Sequence, residues 1–260
     1  MSVVIFKLFI VSLGGRWPFF RELCYDMVCV AVWEGYRRER RGYMSISRDR
    51  KGNPVPYYVN DYCVLDFETT GPFVNYARIV EVGMLKVRNG KVVDRYDELV
   101  HPGRGVWIPA DATAIHHITN GMVANARPMY KVIDDITDFI GDDVIVGYNS
   151  AAYDMNLLYD TRMRLRNQPL TNDYIDVYHA VKRTLKDRLP DCKLETVCQY
   201  YRLPTDHNHR AVADCSLTKV CYDRLYQEFG HRAFIPVSKS RKNRIVSVKE
   251  DIGVEGIQYE

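Results

Sequence analysis

The stretch Cys63-Val64-Leu65-Asp66-Phe67-Glu68-Thr69-Thr70-Gly71 is an apolar run that ends in two carboxylates and a turn. Read as a strand, it sends alternate side chains to opposite faces, so Asp66 and Glu68 project from the same side, one pleat apart. Two anions held that close repel each other. A divalent cation between them would keep both ionised where water is partly excluded, because hard cations take carboxylate oxygens and cancel their charge. The competing reading is an Asp and a Glu that face solvent at a strand end, and the strand alone leaves both open.

A chain of 260 residues has room for one substantial domain with a leader and a tail, or for two small domains. Its seven cysteines include no C-x-x-C pair and no His/Cys ligand cluster, which argues against a disulfide framework and structural zinc and places the chain in a reducing, cytoplasmic setting. Net charge is +3 but uneven, with ten Lys/Arg against five Asp/Glu in residues 1–60. The body therefore does not bind nucleic acid by bulk charge alone. Residues 1–13 are apolar but interrupted by Lys7 and too short to span a bilayer, so no membrane association is expected. The run from Tyr36 to Lys51 carries Arg37, Arg38, Arg40, Arg41, Arg48 and Arg50 before Gly52-Asn53-Pro54-Val55-Pro56, and reads as a solvated, mobile linker. The expected organisation is an Arg-rich leader over 1–57, a central folded domain over 58–232 and a basic tail or small hairpin over 233–260. Met27 and Met44 stand as alternatives to Met1 for the start of the functional product.

Residues 79–87 and 91–100 are β-rich runs joined at Asn89-Gly90, a dipeptide suited to the positive φ angles of a tight hairpin, so an antiparallel three-stranded meander is expected. Asp111 is expected to cap a short helix running to His116. Pro128 opens a longer one, with Val132, Ile133, Ile136, Phe139 and Ile140 at helical spacing and Gly141 as its stop. A brief buried strand over 144–147 precedes a helix over 155–166. A strand over 174–177 then leads to helices near 179–189, 193–201 and 210–229. Strands first and alternating helices and strands after them predict an α/β fold, a mixed sheet flanked by helices.

Two more carboxylates stand where structure alone would not put them. Asp214 shares a helical stripe with Leu217, Cys221 and Leu225, so it faces the sheet, and a charge there needs a partner. Asp154 lies between a strand and a helix, where an N-cap aspartate is common, and capping would not exclude metal binding. His209 precedes Asp214 by five residues, about 140° around a continuous helix. The two can share a site only if His209 sits in the loop before the helix, and His207 competes for the same role.

Taken in order, Asp66-Phe67-Glu68-Thr69-Thr70-Gly71, Asn149-Ser150-Ala151-Ala152-Tyr153-Asp154 and His209-Arg210-Ala211-Val212-Ala213-Asp214 resemble the three motifs of the DnaQ-like (DEDDh) 3′-5′ exonucleases. The resemblance covers roughly residues 58–232 and runs within the family toward the proofreading epsilon subunit of bacterial DNA polymerase III. Ile115-His116-His117-Ile118-Thr119 is similar to the family's I-H-G-I-T segment, and Tyr174-Ile175-Asp176-Val177 to its later strand. His117 replaces the usual glycine, and Asn149-Ser150 replaces the usual His-Asn pair.

The resemblance implies an RNase H-like fold and hydrolysis of nucleotides from a 3′ end with two divalent cations, Mg²⁺ or Mn²⁺. Asp66, Glu68, Asp154 and Asp214 would be the ligands, with Asp66 between both ions, and His209 the general base, since imidazole titrates near neutral pH. Thr69 and Thr70 would receive the terminal 3′-hydroxyl, and His116 and Ile118 would contact the last sugar and base. The expected partners are single-stranded or frayed 3′ ends of DNA and a DNA polymerase III catalytic subunit. A 3′ exoribonuclease of the RNase T or oligoribonuclease type is the alternative, because no motif reports on the 2′-hydroxyl. A catalytically silent binding module is the third reading, against which all four acids and the histidine are present.

Overall fold

The computed structural model describes residues 46–205 and 209–235. The apolar run at 1–13, Met27, Met44, Arg37 to Arg41, His207 and the basic tail beyond residue 235 lie outside the described residues. The folded unit that carries the sheet begins at Arg48.

Three strands, β1 (Tyr62–Thr69), β2 (Ile79–Arg88) and β3 (Lys91–His101), form the expected antiparallel meander. Its tight turn places Asn89 at φ 50° and Gly90 at φ 71°, the positive angles that this dipeptide tolerates best. The short helices α1 (Ala110–His116) and α2 (Asn120–Val123) follow, then the two-residue strand β4 (Arg127–Pro128) and helix α3 (Met129–Ile140). Next come β5 (Val144–Gly147), α4 (Asp154–Arg166), β6 (Tyr174–Asp176), α5 (Val177–Thr184), α6 (Leu194–Tyr200) and the long α7 (Ala211–Phe229), closed by a 3₁₀ turn over Gly230–Ala233.

The six strands stand in the order β4-β3-β2-β1-β5-β6, with β5 parallel to both β1 and β6. This is the mixed sheet flanked by helices that the strand and helix pattern predicts. Helix α7 lies across β1 and β2. Its Val212, Cys215, Tyr222 and Leu225 join Tyr62, Val64, Leu85 and Val87 in one buried cluster. Each fully buried large apolar side chain there contributes about 1.5–3 kcal/mol.

Close contact between α7 and the sheet depends on Gly83. A Cβ at this position would lie 2.3 Å from the Ala211 carbonyl carbon and the Val212 nitrogen. The first turn of α7 therefore rests directly on the β2 backbone, and the Cys215 thiol donates to the Gly83 carbonyl at 3.2 Å.

Several expectations change. The N-cap of α1 is Pro109, with no side-chain cap, while Asp111 sits inside the first turn. Proline there presets the extended backbone that leads into the helix. Asp154 is the first residue of α4, whose N-cap is Tyr153, so it is free of a capping role. The linker is docked in its last part: the Arg48 guanidinium grips buried Asp160 at 2.6 and 2.8 Å. Asn53 and Val55 exchange backbone hydrogen bonds with Tyr174 at 3.0 and 2.8 Å. Tyr58 stacks on Tyr222 and Tyr226. At the other end Ala233 and Phe234 are buried in the same core, past residue 232.

Gly83→Ala should lower stability by about 1–3 kcal/mol, the ordinary cost of overpacking a filled contact. It should also displace the α7 N-terminus and with it Asp214. Urea unfolding checks this; unchanged stability would mean that α7 is not seated on Gly83.

Candidate active site

Asp66 and Glu68 lie at the end of β1, on the face that Tyr62 and Val64 present to α7. Asp214, in the first turn of α7, reaches the same place because Gly83 lets that turn approach the sheet. One carboxylate oxygen from each of Asp66, Glu68 and Asp214 lies within 4.8 Å of the others, a spacing that a single cation can span. Asp154 is buried at the head of α4. It is not part of that tight trio, yet it stands close enough that its charge is the largest of those acting on Asp66.

Burial, followed by the charges of Asp154, Glu68, Asp214 and Glu81, holds Asp66 well above the usual carboxylate range. Burial first, then Asp214, Glu81 and Asp154, pushes Glu68 up to about 8, against an opposing pull from Arg210. Burial likewise pushes Asp154 up to about 7, offset in part by hydrogen bonds from its own backbone N–H and that of Phe67. Asp214 rises to about 6 through burial, while His209 pulls it down. Desolvated oxygens that repel one another are the donor set a hard divalent cation fits, since the ion replaces both the lost hydration and the missing opposite charge.

His209 lies in the loop before α7, as sharing a site with Asp214 would require. Its side chain is exposed, its backbone N–H donates to Asp214 Oδ2 at 3.2 Å, and its φ is 67°. A non-glycine residue in this left-handed region costs about 1–3 kcal/mol and persists where its surroundings fix it.

Thr69 and Thr70 close the end of β1. Thr69 Oγ1 meets the Tyr153 hydroxyl at 2.6 Å and the Gly71 carbonyl at 3.0 Å, and Tyr153 also bonds that carbonyl. The Thr70 N–H donates to the Arg78 carbonyl, and the Arg78 N–H donates back to Thr70 Oγ1. His116 and Ile118 are enclosed rather than presented to a ligand, with exposures of 2% and 0%. The Ile118 N–H donates to His116 Nδ1 at 3.0 Å, which leaves the proton on Nε2 to reach the Thr69 carbonyl at 3.2 Å. Burial pulls the His116 pKa down, consistent with this neutral form. As placed, His116 props the turn from behind and Ile118 packs with Val80, Ile108, Ala112 and Val123.

His117 adopts φ 61°, a left-handed turn at the end of α1 that glycine enters at no steric cost, and its side chain is exposed. Ser150, in place of the expected asparagine, is fully buried against Gly147, and its hydroxyl has no hydrogen-bond partner among the described residues. Two carboxylates escaped the sequence reading. Asp176 is buried and accepts from the Asn149, Ala151 and Tyr178 N–H groups, which fixes the loop leading to Asp154. Glu81, almost wholly buried, takes Arg210 in a bidentate pair. A lone Glu inside the apolar run from Ile79 to Val87 was the available signal for it.

Known proteins share both the sequence pattern and the fold. Residues 63–221 match the RNase_T family model, described as exonuclease. The chain is 32% identical over 184 residues to a PolC-type DNA polymerase III of Latilactobacillus sakei subsp. sakei, and 30% identical over 159 residues to that of Listeria innocua serovar 6a. These matches take in 68% and 60% of this chain but only 12% and 11% of the relatives, so the chain spans about an eighth of their length. Among solved structures, E. coli exonuclease I in complex with a dT13 oligonucleotide shares the fold, with a TM-score of 0.59 and 16% identity over 65% of this chain and 41% of that one. Exonuclease X in complex with 5′ overhanging duplex DNA aligns with a TM-score of 0.52 and 25% identity over 65% of this chain and 93% of that one.

The raised carboxyls have a measurable consequence. An acid whose folded pKa is raised supports the fold while protonated, and loses that contribution as pH climbs from its unfolded value through its folded one. For this cluster the window runs from 3.8 for Asp or 4.5 for Glu in unfolded chains up to about 8 for Glu68. In EDTA the melting temperature should fall as pH rises through that window, and Mn²⁺ should reverse the fall at the alkaline end. Calorimetry with and without the metal checks it; a flat or rising profile in EDTA would contradict the arrangement.

Proposed function

The chain belongs to the exonuclease family, and from that premise we propose that it is a metal-dependent 3′-5′ exonuclease acting on DNA ends, in proofreading or repair beside a DNA polymerase III catalytic subunit. The observation that carries this reading is the convergence of Asp66, Glu68 and Asp214 within 4.8 Å, with Asp154 buried beside them and His209 in the flanking loop. DNA is preferred to RNA because the relatives are DNA polymerases and exonuclease X was captured on DNA. The catalytic unit we propose comprises residues 58–232 together with the docked arm from Arg48 and the buried Phe234.

In this reading Asp66, Glu68 and Asp214 would hold a divalent cation, and Asp154, buried beside them, would help to hold a second. Two such cations, Mg²⁺ or Mn²⁺, would acidify the attacking water and offset the negative charge that develops on the phosphoryl oxygens. His209, exposed to solvent yet tied to Asp214 through its backbone, takes the proton from that water. The water oxygen bonds to phosphorus and the bond to the penultimate 3′ oxygen breaks. A nucleoside 5′-monophosphate leaves, and the departing 3′ oxygen takes a proton from solvent to become the 3′-hydroxyl of the shortened strand. The turn at Thr69 and Thr70 receives the terminal 3′-hydroxyl, held in place by Tyr153, Arg78 and His116.

Purified protein with 5′-labelled single-stranded DNA should give a ladder that shortens from the 3′ end in Mg²⁺ or Mn²⁺ and stops in EDTA. Asp214→Ala and Asp66→Ala should each lower the rate by on the order of 100-fold or more, since loss of a metal ligand costs at least as much as loss of a group that orients one. Shortening of RNA alone would replace the DNA reading with an exoribonuclease. No shortening of either would make the domain a binding module.

A further inference from the structure

The acidic end of the sheet holds a fifth carboxylate, Glu81, that the proposed reaction leaves without a role. It stands on β2 directly opposite Glu68, and the two-residue period of the strand puts it on the same face as Gly83, beneath α7. Two like charges facing each other across neighbouring strands are unfavourable, and Glu81 is 1% exposed, so water does not screen it. Arg210 supplies the compensation. Its Nε lies 2.9 and 3.1 Å from the two Glu81 oxygens, and its Nη2 also bonds Oε1. The Ala211 N–H donates to Oε2 at 3.0 Å. Every one of these donors belongs to one of the two residues that follow His209.

We propose that Glu81 and Arg210 are positioning residues that fix the loop carrying His209 over the carboxylate cluster, and that Glu81 is not itself a metal ligand. A planar guanidinium gripped on both oxygens of a buried acid has little rotational freedom. Arg210 is the N-cap of α7, and its carbonyl accepts from the Ala213 and Asp214 N–H groups, so the grip registers the helix as well as the loop. His209 is thereby held in its left-handed conformation from both sides: by Arg210 in the next position and by its own N–H on Asp214. The same pairing neutralises Glu81, so that the four remaining carboxylates match the charge of two divalent cations. This assignment rests on the exonuclease reading for its catalytic consequence, though not for its structural one.

The test compares wild-type protein with Glu81→Gln, which keeps the shape but cannot hold the guanidinium as a charged pair, and Arg210→Lys, which keeps the charge but loses the fork. His209→Ala is measured alone and combined with Glu81→Gln. On labelled DNA, Glu81→Gln and Arg210→Lys should lower kcat by about 10–100-fold, the usual cost of losing a group that orients a functional one. KM for DNA and the Mn²⁺ concentration for half-maximal rate should stay within about twofold. In the His209→Ala background Glu81→Gln should cost less than about twofold, because both changes remove the same function. An equal loss in both backgrounds, or a shift of about tenfold in the Mn²⁺ requirement, would overturn the proposal, the latter by making Glu81 a ligand. Amide hydrogen exchange provides a readout that survives if the protein proves inactive. Both variants should speed exchange at His209 and Ala213 by about tenfold or more while the β1 amides stay protected. Unchanged exchange at His209 and Ala213 would refute the clamp whatever becomes of the exonuclease reading.

Discussion

Asp66 and Glu68 sit two residues apart on one strand, Glu81 faces Glu68 from the next, and Asp154 and Asp214 close in from helices, so the working end of this sheet must contain the mutual repulsion of five acids. Much of the surrounding structure can be read as a response to that repulsion. Arg210 removes one charge by pairing with Glu81. Backbone N–H groups of Phe67 and Asp154 partly support another. What remains is raised toward the neutral range and leaves a set of oxygens ready for a cation. Such a cluster costs the fold stability wherever its acids must ionise without a counter-charge.

Geometry reaches the site along two independent routes. One runs through β2, where Gly83 brings the α7 backbone against the sheet and sets the depth at which Asp214 enters. The other runs through β6, where Asp176 gathers the N–H groups of the loop before Asp154, and Lys51 Nζ holds that loop's Ala151 carbonyl at 2.7 Å. Helices α4 and α7 are each steered as well by a buried strand carboxylate that accepts from backbone N–H, Asp176 on β6 and Glu81 on β2. Side chains anchored in regular structure hold a constellation more closely than loop residues could alone.

The sequence made the main outlines legible because the signals there were strong. Period-two alternation exposed the shared face of Asp66 and Glu68, Asn89-Gly90 marked the hairpin, and the α7 stripe put Asp214 against the sheet. The start of α7 was read to within one residue, but the left-handed turn at His209 and its N–H bond to Asp214 required the structure. Helix α2 and strand β4 were missed because four and two residues carry no readable period. Glu81 was passed over because its surroundings read as an ordinary buried strand, and its partner Arg210 lies 129 residues away. The Arg-rich run was read as solvated because composition cannot reveal that Asp160, 112 residues downstream, is waiting for Arg48. Contacts of that range leave no local trace.

That docked arm bears on the order in which the molecule can assemble. Arg48 finds its acid 112 residues further on, and the Tyr58 hydroxyl meets Asp223 across 165 residues. During synthesis the arm leaves the ribosome before β1, yet its stacking surface on Tyr222 and Tyr226 does not exist until α7 has been made. Closing loops of this length brings no reward until both ends are in place, so the Tyr58 end of the arm has nothing to stack on before α7 has formed. The Arg48 end needs only α4, and the Asn53 and Val55 backbone only β6, so the arm can dock from its first residues and close on α7 last, as a latch.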